Sequence, residues 1–236
     1  MRRVVRGFWG PRQETAEELT RRWKLTLDQL AEILPAGGSG AVWTWWQIHS
    51  SGPATDLLPN EDSLLTALRA AREADGWSDR VGFGLRLLLA GEPDWKIEVS
   101  GNAGGTSEYL LQSMVIGIKS PDTAEIPDGD LLTVVAEAWE PDCGDVTDGD
   151  VLDVLEDDAG FAGGEPCVGW VGYLSRARAA LLPEGTKAGR KELSAGGVLL
   201  DIAPHGNVKD VLQANLRLRY AGALEPLPRP MGRTAL

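Results

Sequence analysis

The chain of 236 residues has no lysine or arginine between Ser120 and Ser175, although 23 bases occur in the rest of it. Fifteen of its 35 acids lie in that same stretch, called the acidic segment below. The formal net charge of the whole chain is −12, so this segment carries more negative charge than the net value. A concentrated negative field repels nucleic acid and attracts basic surfaces. The missing bases therefore argue against a nucleic-acid ligand and favour a basic protein partner.

Long apolar runs and closely spaced cysteines are also missing. No stretch approaches the roughly 18 apolar residues of a bilayer-spanning helix, and residues 1–14 lack the apolar core of a secretory signal. Cys143 and Cys167 are too far apart in sequence for a close zinc-ligand pair and too few for a disulfide framework. We therefore expect two reduced thiols in a soluble, cytoplasmic protein that has no membrane partner.

Motifs of catalysis and cofactor binding are absent as well. The two histidines, His49 and His205, form no H-x-x-x-H or H-E-x-x-H pair, so each is expected to be isolated at the surface or at a strand end. No G-x-x-x-x-G-K-[ST] phosphate loop occurs. An EF-hand alignment on Gly149 puts Leu155 where glutamate is needed. We predict no enzyme activity, no cofactor and no metal, and leave an enzyme with converging carboxylates as the weaker alternative.

Helical and strand patterns are mixed without a regular βαβ repeat. Thr15 and Glu18 form a capping-box pair ahead of apolar residues at helical spacing. Residues 82–90, 95–100 and 114–119 are three successive predicted strands with no helix between them. This order favours an α+β fold, a single domain with a mixed or mainly antiparallel sheet packed by helices.

The boundaries of the domain and of several further elements follow from local patterns. The single domain is predicted to span residues 1–225, and the proline-rich residues 226–236 are predicted to be an extended C-terminal tail. Further strands are predicted at 4–9, 42–48, 167–174 and 197–202. Further helices are predicted at 60–76, 131–139, 150–159, 175–182 and 207–220. A loop is predicted at 37–40, a hairpin turn at 91–94 and a turn region at 141–149.

The helix predicted at 150–159 carries its charges on one side. Its apolar residues form a stripe, and Asp150, Asp153 and Asp157 lie on the opposite side. Acids at its C-terminal end oppose the helix dipole, and no base lies within four residues to pair with them. Unfavourable charge placement of this kind is expected at functional sites. The alternative is that this face only keeps the protein soluble. The predicted partner-binding residues are Glu140, Asp142, Asp145, Asp148, Asp150, Asp153 and Asp157.

Nine tryptophans are a second unusual feature of the chain. Trp23 and Trp139 lie on apolar helical stripes and are predicted to be core residues. Trp43 and Trp45 share one face of a predicted strand, and core packing is favoured for them because tryptophan is mostly buried. Exposure in an interface is left open for this pair, since tryptophan is enriched among interface hot spots.

Six stretches of the chain share sequence patterns with a known family. They are Arg6-Gly-Phe-Trp-Gly-Pro-Arg12 with Glu14-Thr15, Arg22-Trp23, residues 138–146, residues 169–175 with 177–183, residues 196–200 and residues 215–224. Together they resemble the immunity protein 52 family of bacterial polymorphic toxin systems. The family pattern often has an aromatic residue where this chain has Cys143.

The resemblance implies an α+β cytosolic protein that binds and neutralises a cognate toxin, in this family often a nuclease of restriction-endonuclease fold. The charge distribution agrees, because a nuclease presents a basic cleft to phosphates and an acidic helical surface can occupy that cleft. We therefore predict a non-enzymatic immunity protein whose partner is a cognate toxin with a basic surface. Immunity to a toxin of another chemistry is the alternative, and the oligomeric state is left open.

Overall fold

The computed structural model describes residues 1–36, 43–73, 77–89, 94–186, 188–232 and 234–235. Within these ranges the chain forms one α+β domain, as the sequence predicts. The helices are α1 (Ala16–Ile33), α2 (Glu61–Glu73), α3 (Asp128–Trp139), α4 (Gly149–Ala159), α5 (Arg176–Ala179) and α6 (Val208–Tyr220). The strands are β1 (Arg2–Trp9), β2 (Trp45–Gln47), β3 (Thr55–Leu57), β4 (Phe83–Leu89), β5 (Lys96–Ala103), β6 (Gln112–Lys119), β7 (Cys143–Thr147), β8 (Val171–Leu174), β9 (Gly189–Glu192) and β10 (Val198–Asp201).

These strands form a single sheet in the order β3-β2-β4-β5-β6-β1-β7-β8-β10-β9, and neighbouring strands run antiparallel. β1 lies near the middle, between β6 and β7. Its register pairs Trp9 with Gln112 on one side and Val4 with Thr147 on the other. β1 therefore joins two groups of strands that are each built mostly from segments close in sequence.

The two faces of the sheet are covered differently. Alternate residues such as Val5 and Ile116 point into the main core, against α1, α2 and α3. On the opposite face, α4 and α6 contribute to two smaller apolar clusters that reach β8 and β10. Within the described residues no helix packs over β4, β5 and β6 on that second face, and side chains there are half-buried or exposed. We call this uncovered area, together with the adjoining side chains of Arg2 and Val4 on β1 and Trp46 on β2, the open sheet face.

Helix ends form where the sequence patterns predict them. The side chain of Thr15 accepts a hydrogen bond from the backbone of Glu18, and the Glu18 carboxylate accepts one from the backbone of Thr15, so the capping box of α1 is confirmed. Asn60 Oδ1 accepts a hydrogen bond of 2.9 Å from the Ser63 amide ahead of α2. Asp148 Oδ1 accepts one of 3.1 Å from the Val151 amide at the start of α4.

The predicted turn region at residues 141–149 is wrong in its centre. Residues 143–147 form β7, which is buried at every position between β1 and β8. Carboxylates without a partner are disfavoured inside a sheet. Asp142, directly before the strand, and Asp145, within it, are each paired with an arginine from another part of the chain.

Two short strands were not predicted from the sequence, and the strands predicted at 42–48 and 167–174 are shorter than expected, at Trp45–Gln47 and Val171–Leu174. β3 and β9 lie at the two edges of the sheet, and all four residues of β9 are exposed. β8 begins at Val171, because residues 167–170 form a loop that packs tightly on β7. A Cβ at Gly169 would overlap the carbonyl oxygen of Val146, and one at Gly172 would overlap the side chain of Val168.

The C-terminal tail folds back onto the domain. The Gly10 amide donates to the Thr234 carbonyl at 2.7 Å, and the Met231 amide donates to the Glu108 carbonyl at 2.7 Å. Leu227 and Met231 are buried. The tail therefore contributes apolar contacts. The predicted loop at 37–40, the helix stop at Gly76 and residues 91–93 of the predicted hairpin turn lie outside the described residues.

Candidate functional site

The acids predicted to bind a partner fall into two structural sets. Glu140, Asp142, Asp145 and Asp148 have cationic partners within the chain, and those arginines all come from outside the base-free acidic segment. Asp150, Asp153 and Asp157 lie on α4 and point to solvent. Asp142, Asp145 and Asp148 of the first set are therefore engaged within the fold, whereas Glu140 and the second set are accessible at the surface.

Asp142 lies inside the protein, at the start of β7. Its carboxylate accepts hydrogen bonds from Arg178 Nε at 2.7 Å and from Ser175 Oγ at 3.1 Å. Arg178 is fully buried and also donates to the Ala223 carbonyl at 2.8 Å. This arrangement joins β7, α5 and the chain after α6, so Asp142 holds three segments together and presents no charge to solvent.

Asp145 lies on the same strand and is equally buried. Arg6 Nε donates to both of its carboxylate oxygens, at 3.0 and 3.2 Å, and Arg6 Nη2 lies 3.1 Å from Cys167 Sγ. Cys143 and Cys167 are both free thiols. Burial raises the pKa of Cys143 to about 12 and raises that of Cys167 well above its ordinary value. These shifts disfavour the thiolate that nucleophilic and redox chemistry requires.

Asp148 combines two structural contacts. Besides capping α4, it accepts a hydrogen bond of 2.9 Å from Trp170 Nε1 and lies 3.5 Å from Arg3 Nη1. Its side chain is 19% exposed. Its carboxylate is thus held at the point where β1, α4 and the loop before β8 meet, and little of it is accessible to another protein.

His205 is not the isolated residue predicted from the sequence. Its Nε2 lies 2.7 Å from Asp128 Oδ2, its Nδ1 lies 2.8 Å from Arg3 Nη2, and its ring meets Trp170 edge-on at 5.0 Å. Burial raises the pKa of the Asp128 carboxyl, and its interactions with Arg3 and His205 oppose that shift. The cluster links the first turn of α3 to β1 and to the loop before α6. Long-range pairing of this kind leaves no spacing signal in the sequence.

Glu140 is the exposed member of the first set. It follows α3 in a left-handed conformation, with a φ of 47°, and its side chain is 56% exposed. Arg22 Nη2 from α1 lies 3.3 Å from its carboxylate. Its charge is therefore partly compensated at the surface, where an ion pair of this kind contributes little stability.

The exposed acids of α4 have no such compensation. Val151 and Leu155 are buried beneath the helix, whereas Asp150, Asp153 and Asp157 are exposed, with Glu156 and Asp158 beside them. None of these five acids takes part in an ion pair within the part of the chain that the structure describes. The last turn contains no base and ends at Gly160 in the left-handed conformation. We call these five residues the acidic face of α4.

The tryptophan predictions can be tested by burial. Trp23, Trp43, Trp45 and Trp139 are all buried, which confirms the preference for core packing. Trp46 was assigned no surface role from the sequence, yet it is 42% exposed. It lies on the open sheet face, because it neighbours the buried Trp45 on β2 and so points the opposite way. The period-2 alternation of side chains along β2 is the sequence signal that could have identified Trp46 as exposed.

The described ranges contain neither a cluster of metal ligands nor a membrane-spanning helix. No group of three or more His, Cys, Asp or Glu side chains there is arranged to hold a metal ion. Among the helices of those ranges, none is both long enough and apolar enough to cross a membrane.

Comparison with protein families gives a match that covers most of the chain. Residues 4–204 match the family described as immunity protein 52. No curated protein matches the chain. Since the match extends over far more than half of the sequence, the chain belongs to the immunity protein 52 family.

Proposed function

We propose that this member of the immunity protein 52 family neutralises its cognate toxin by placing the acidic face of α4 on a basic surface of that toxin. Membership of the family implies immunity against a toxin and binding of that toxin. The proposal concerns the surface used and the kind of surface it meets. Of the seven acids predicted from the sequence, Asp150, Asp153 and Asp157 would contact the partner, and Glu140 would lie at the margin.

The observation that carries the proposal is the uncompensated charge of α4. Asp153 and Asp157 are four residues apart, and like charges at that spacing destabilise a helix by about 0.2–0.5 kcal/mol. Acids in the last turn also interact unfavourably with the helix dipole. Elsewhere in the acidic segment, arginines from distant strands and helices compensate several carboxylates. Arg219 donates to the Ala159 carbonyl at the end of α4, but no ion pair within the described residues offsets the charges of the five acids, which supports a role in binding.

A nuclease of restriction-endonuclease fold is the toxin class that fits this face best. A nuclease cleft is basic because it binds phosphates, and a row of carboxylates can occupy it in their place. The same negative charge repels nucleic acid, so we propose no nucleic-acid partner for this chain. Complementary charge would also accelerate the encounter in the cytoplasm of the producing cell, where the toxin must be stopped.

Inhibition by occupancy requires no catalysis by this chain. The buried carboxylates of Asp142 and Asp145 are engaged by arginines, and the thiols remain protonated. We therefore propose a non-enzymatic binder, and co-expression with the toxin should restore growth of a susceptible cell. Robust turnover of a substrate by the purified chain would contradict this reading.

The test replaces Asp150, Asp153 and Asp157 together by Asn. We expect slower toxin association and a weaker dependence of the rate on salt, because exposed interface charges act mainly by electrostatic steering. Stopped-flow association at low and high salt measures both quantities.

The matched control replaces Glu61 and Glu73 by Gln and Asp62 by Asn on α2. These three acids are also exposed and helical, and α2 packs on the other face of the sheet. The net charge changes equally in both variants. Equal association rates and salt slopes in the two variants would show that the acidic face of α4 only contributes solubility.

A further inference from the structure

The open sheet face forms a shallow cleft of about 480 Å³ on the side of the sheet that carries α4 and α6. Its floor consists of alternate residues from three adjacent strands. The side chains that line it include Arg2, Val4, Lys96, Glu98, Val115 and Lys119. The opposite sides of the same strands, such as Ile97, Ile116 and Val5, are completely buried. One side of these strands is therefore a core, and the other is an unoccupied surface.

A row of three bases crosses this floor. Lys119 lies directly opposite Arg2 on one neighbouring strand and directly opposite Lys96 on the other. All three are exposed, and none of them forms an ion pair within the described part of the chain. Like charges directly opposite each other destabilise a sheet. The chain has a net charge of −12, so three adjacent bases are unusual in it. Contacts within the described part of the chain do not explain them.

Two glycines leave parts of the same face without side chains. A Cβ at Gly84 or at Gly117 would meet no atom within 4 Å, and neither residue has the positive φ that favours glycine. Gly117 lies in the middle of the floor, between Val4 and Glu98 in the register. Glycine weakens a strand interior and often marks the close approach of a ligand or of another backbone. Here no part of the described chain makes that approach.

An apolar anchor lies farther across the face. The register carries the row of Gly117 and Glu98 on to Leu88 and then to Trp46, which is 42% exposed. Exposed tryptophan is the residue type most often found at interface hot spots. The face thus combines a basic row, a smooth floor and an aromatic side chain, all turned to the same side of the sheet.

The acidic face of α4 is a neighbour of this surface. Val4 pairs with Thr147, the last residue of β7, and α4 begins two residues later at Gly149. The basic row starts at Arg2, two residues before Val4 on β1. A partner seated on α4 is therefore adjacent to a floor of the opposite charge.

We propose that the open sheet face is a second docking surface for the same toxin and binds an acidic, extended segment of it, with Trp46 as the apolar anchor. The proposal rests on the proposed function in that the partner is the cognate toxin. A second copy of this chain fits less well, because a two-fold contact through this face would set one basic row against the other. Nucleic acid fits less well too, since the neighbouring α4 repels phosphates.

The first test is Lys119→Glu, in the centre of the row. This change turns two repulsive cross-strand pairs into two attractive ones, so the urea midpoint of the full chain should rise. Affinity for the purified cognate toxin, measured on a sensor surface, should fall at least tenfold. Opposite signs for stability and binding separate a docking role from a structural one. Lys191→Glu on the exposed strand β9 changes the charge equally and should leave toxin affinity within twofold of wild type.

A second test leaves the charge unchanged. Gly117→Val fills open space with a residue that favours strands, so the chain should stay folded, but a closely approaching segment would be displaced. We expect tenfold or greater loss of toxin affinity and an unchanged or higher urea midpoint. Wild-type affinity in both Lys119→Glu and Gly117→Val would overturn the proposal.

The outcomes distinguish this inference from the proposed function. If the Asn variant of α4 loses toxin association while Lys119→Glu and Gly117→Val both keep it, only the second surface fails. If wild-type chain does not bind the toxin at all, the proposed function fails first. Wild-type toxin affinity in Lys119→Glu, together with lost binding of a 20-base-pair DNA duplex or with altered self-association in sedimentation, would also overturn the proposal in favour of another occupant.

Discussion

Arg178 Nη2 lies 2.6 Å from Asp142 Oδ2, and neither side chain is more than 2% exposed. The arginine stands just beyond the base-free segment, and the aspartate stands within it. Through this contact the acidic segment receives the cation that its own sequence lacks. The same principle holds for Arg6 with Asp145 and for Arg3 with Asp148. Part of the apparent charge excess is thus neutralised inside the fold.

The first prediction concerns Arg178. Replacing it by Met should lower the free energy of unfolding by about 3–5 kcal/mol, because a buried carboxylate is left without its cation. Urea unfolding followed by circular dichroism measures the change. Arg176→Met on the exposed side of α5 is the control and should stay within about 0.5 kcal/mol of wild type. Similar stabilities for the two variants would contradict the structural role of the ion pair.

The second prediction concerns the tryptophan core. Trp139 stacks on Trp9 at 5.6 Å, meets Trp23 edge-on at 5.7 Å and donates a hydrogen bond of 2.8 Å to Thr26 Oγ1. Trp139→Ala should cost about 3–5 kcal/mol of unfolding free energy, as for other large-to-small core changes. Trp46→Ala should change stability far less, since that side chain is half in solvent. An unchanged melting temperature with lost toxin binding in Trp139→Ala would place this residue in the interface instead.

The third prediction concerns the buried thiols. At pH 8 a thiol reagent such as dithionitrobenzoate should label neither cysteine in the native protein and both in denaturant, since burial disfavours the thiolate. A control variant, Ser51→Cys, adds an exposed thiol and should react at once in the native state. Rapid native labelling of the wild-type chain would show that this part of the core opens readily.

The pH dependence of stability follows from the same groups. The pKa of Cys143 is raised from its ordinary value of 9.0 to about 12 in the folded protein. A raised folded pKa stabilises the protein fully below the unfolded pKa, and this contribution is lost as the pH rises through the folded pKa. We therefore expect no loss from this thiol at neutral pH and a progressive loss above about pH 9. Urea midpoints between pH 7 and 11 test it, with Cys143→Ala flatter in that range than wild type.

The fourth prediction concerns the domain boundary. We propose that residues 1–225 form the immunity domain and that residues 226–236 are an extended tail docked on it. Removing the tail should leave a folded domain that is less stable by about 3 kcal/mol or more, since Leu227 and Met231 each bury an apolar side chain. Among the described contacts, a chain that ends at residue 232 loses the two hydrogen bonds of Thr234, with Gly10 and Pro11, and should be close to wild type. An unfolded 1–225 chain would show that the tail belongs to the domain.

Elements with a strong local pattern could be predicted from the sequence. α1 was recognised from its capping box and apolar stripe, and the period-2 alternation of residues 114–119 indicated β6. The exposure of Asp150, Asp153 and Asp157 followed from the helical period of α4. In each case the decisive interaction is between residues a few positions apart.

Features set by distant contacts were not predictable in the same way. β7 contains an acid and follows another, and only Arg6 and Arg178 make a buried strand possible there. For the same reason Asp142 and Asp145 were assigned to the partner surface, although they lie inside the protein. The basic row depends on the register of three strands, which a single sequence does not specify.

The central position of β1 has a consequence for synthesis. β1 is translated before both of its neighbours, yet its partners are residues 112–119 and 143–147. Pairing across more than about 100 residues carries a loop-closure entropy cost, and β1 can gain its first neighbour only after β6 is made and its second only after β7 is made. α4, with its acidic face, follows β7 directly. Under the proposed function, chains that end before α4 lack the surface that binds the toxin, whatever part of the sheet they have already formed.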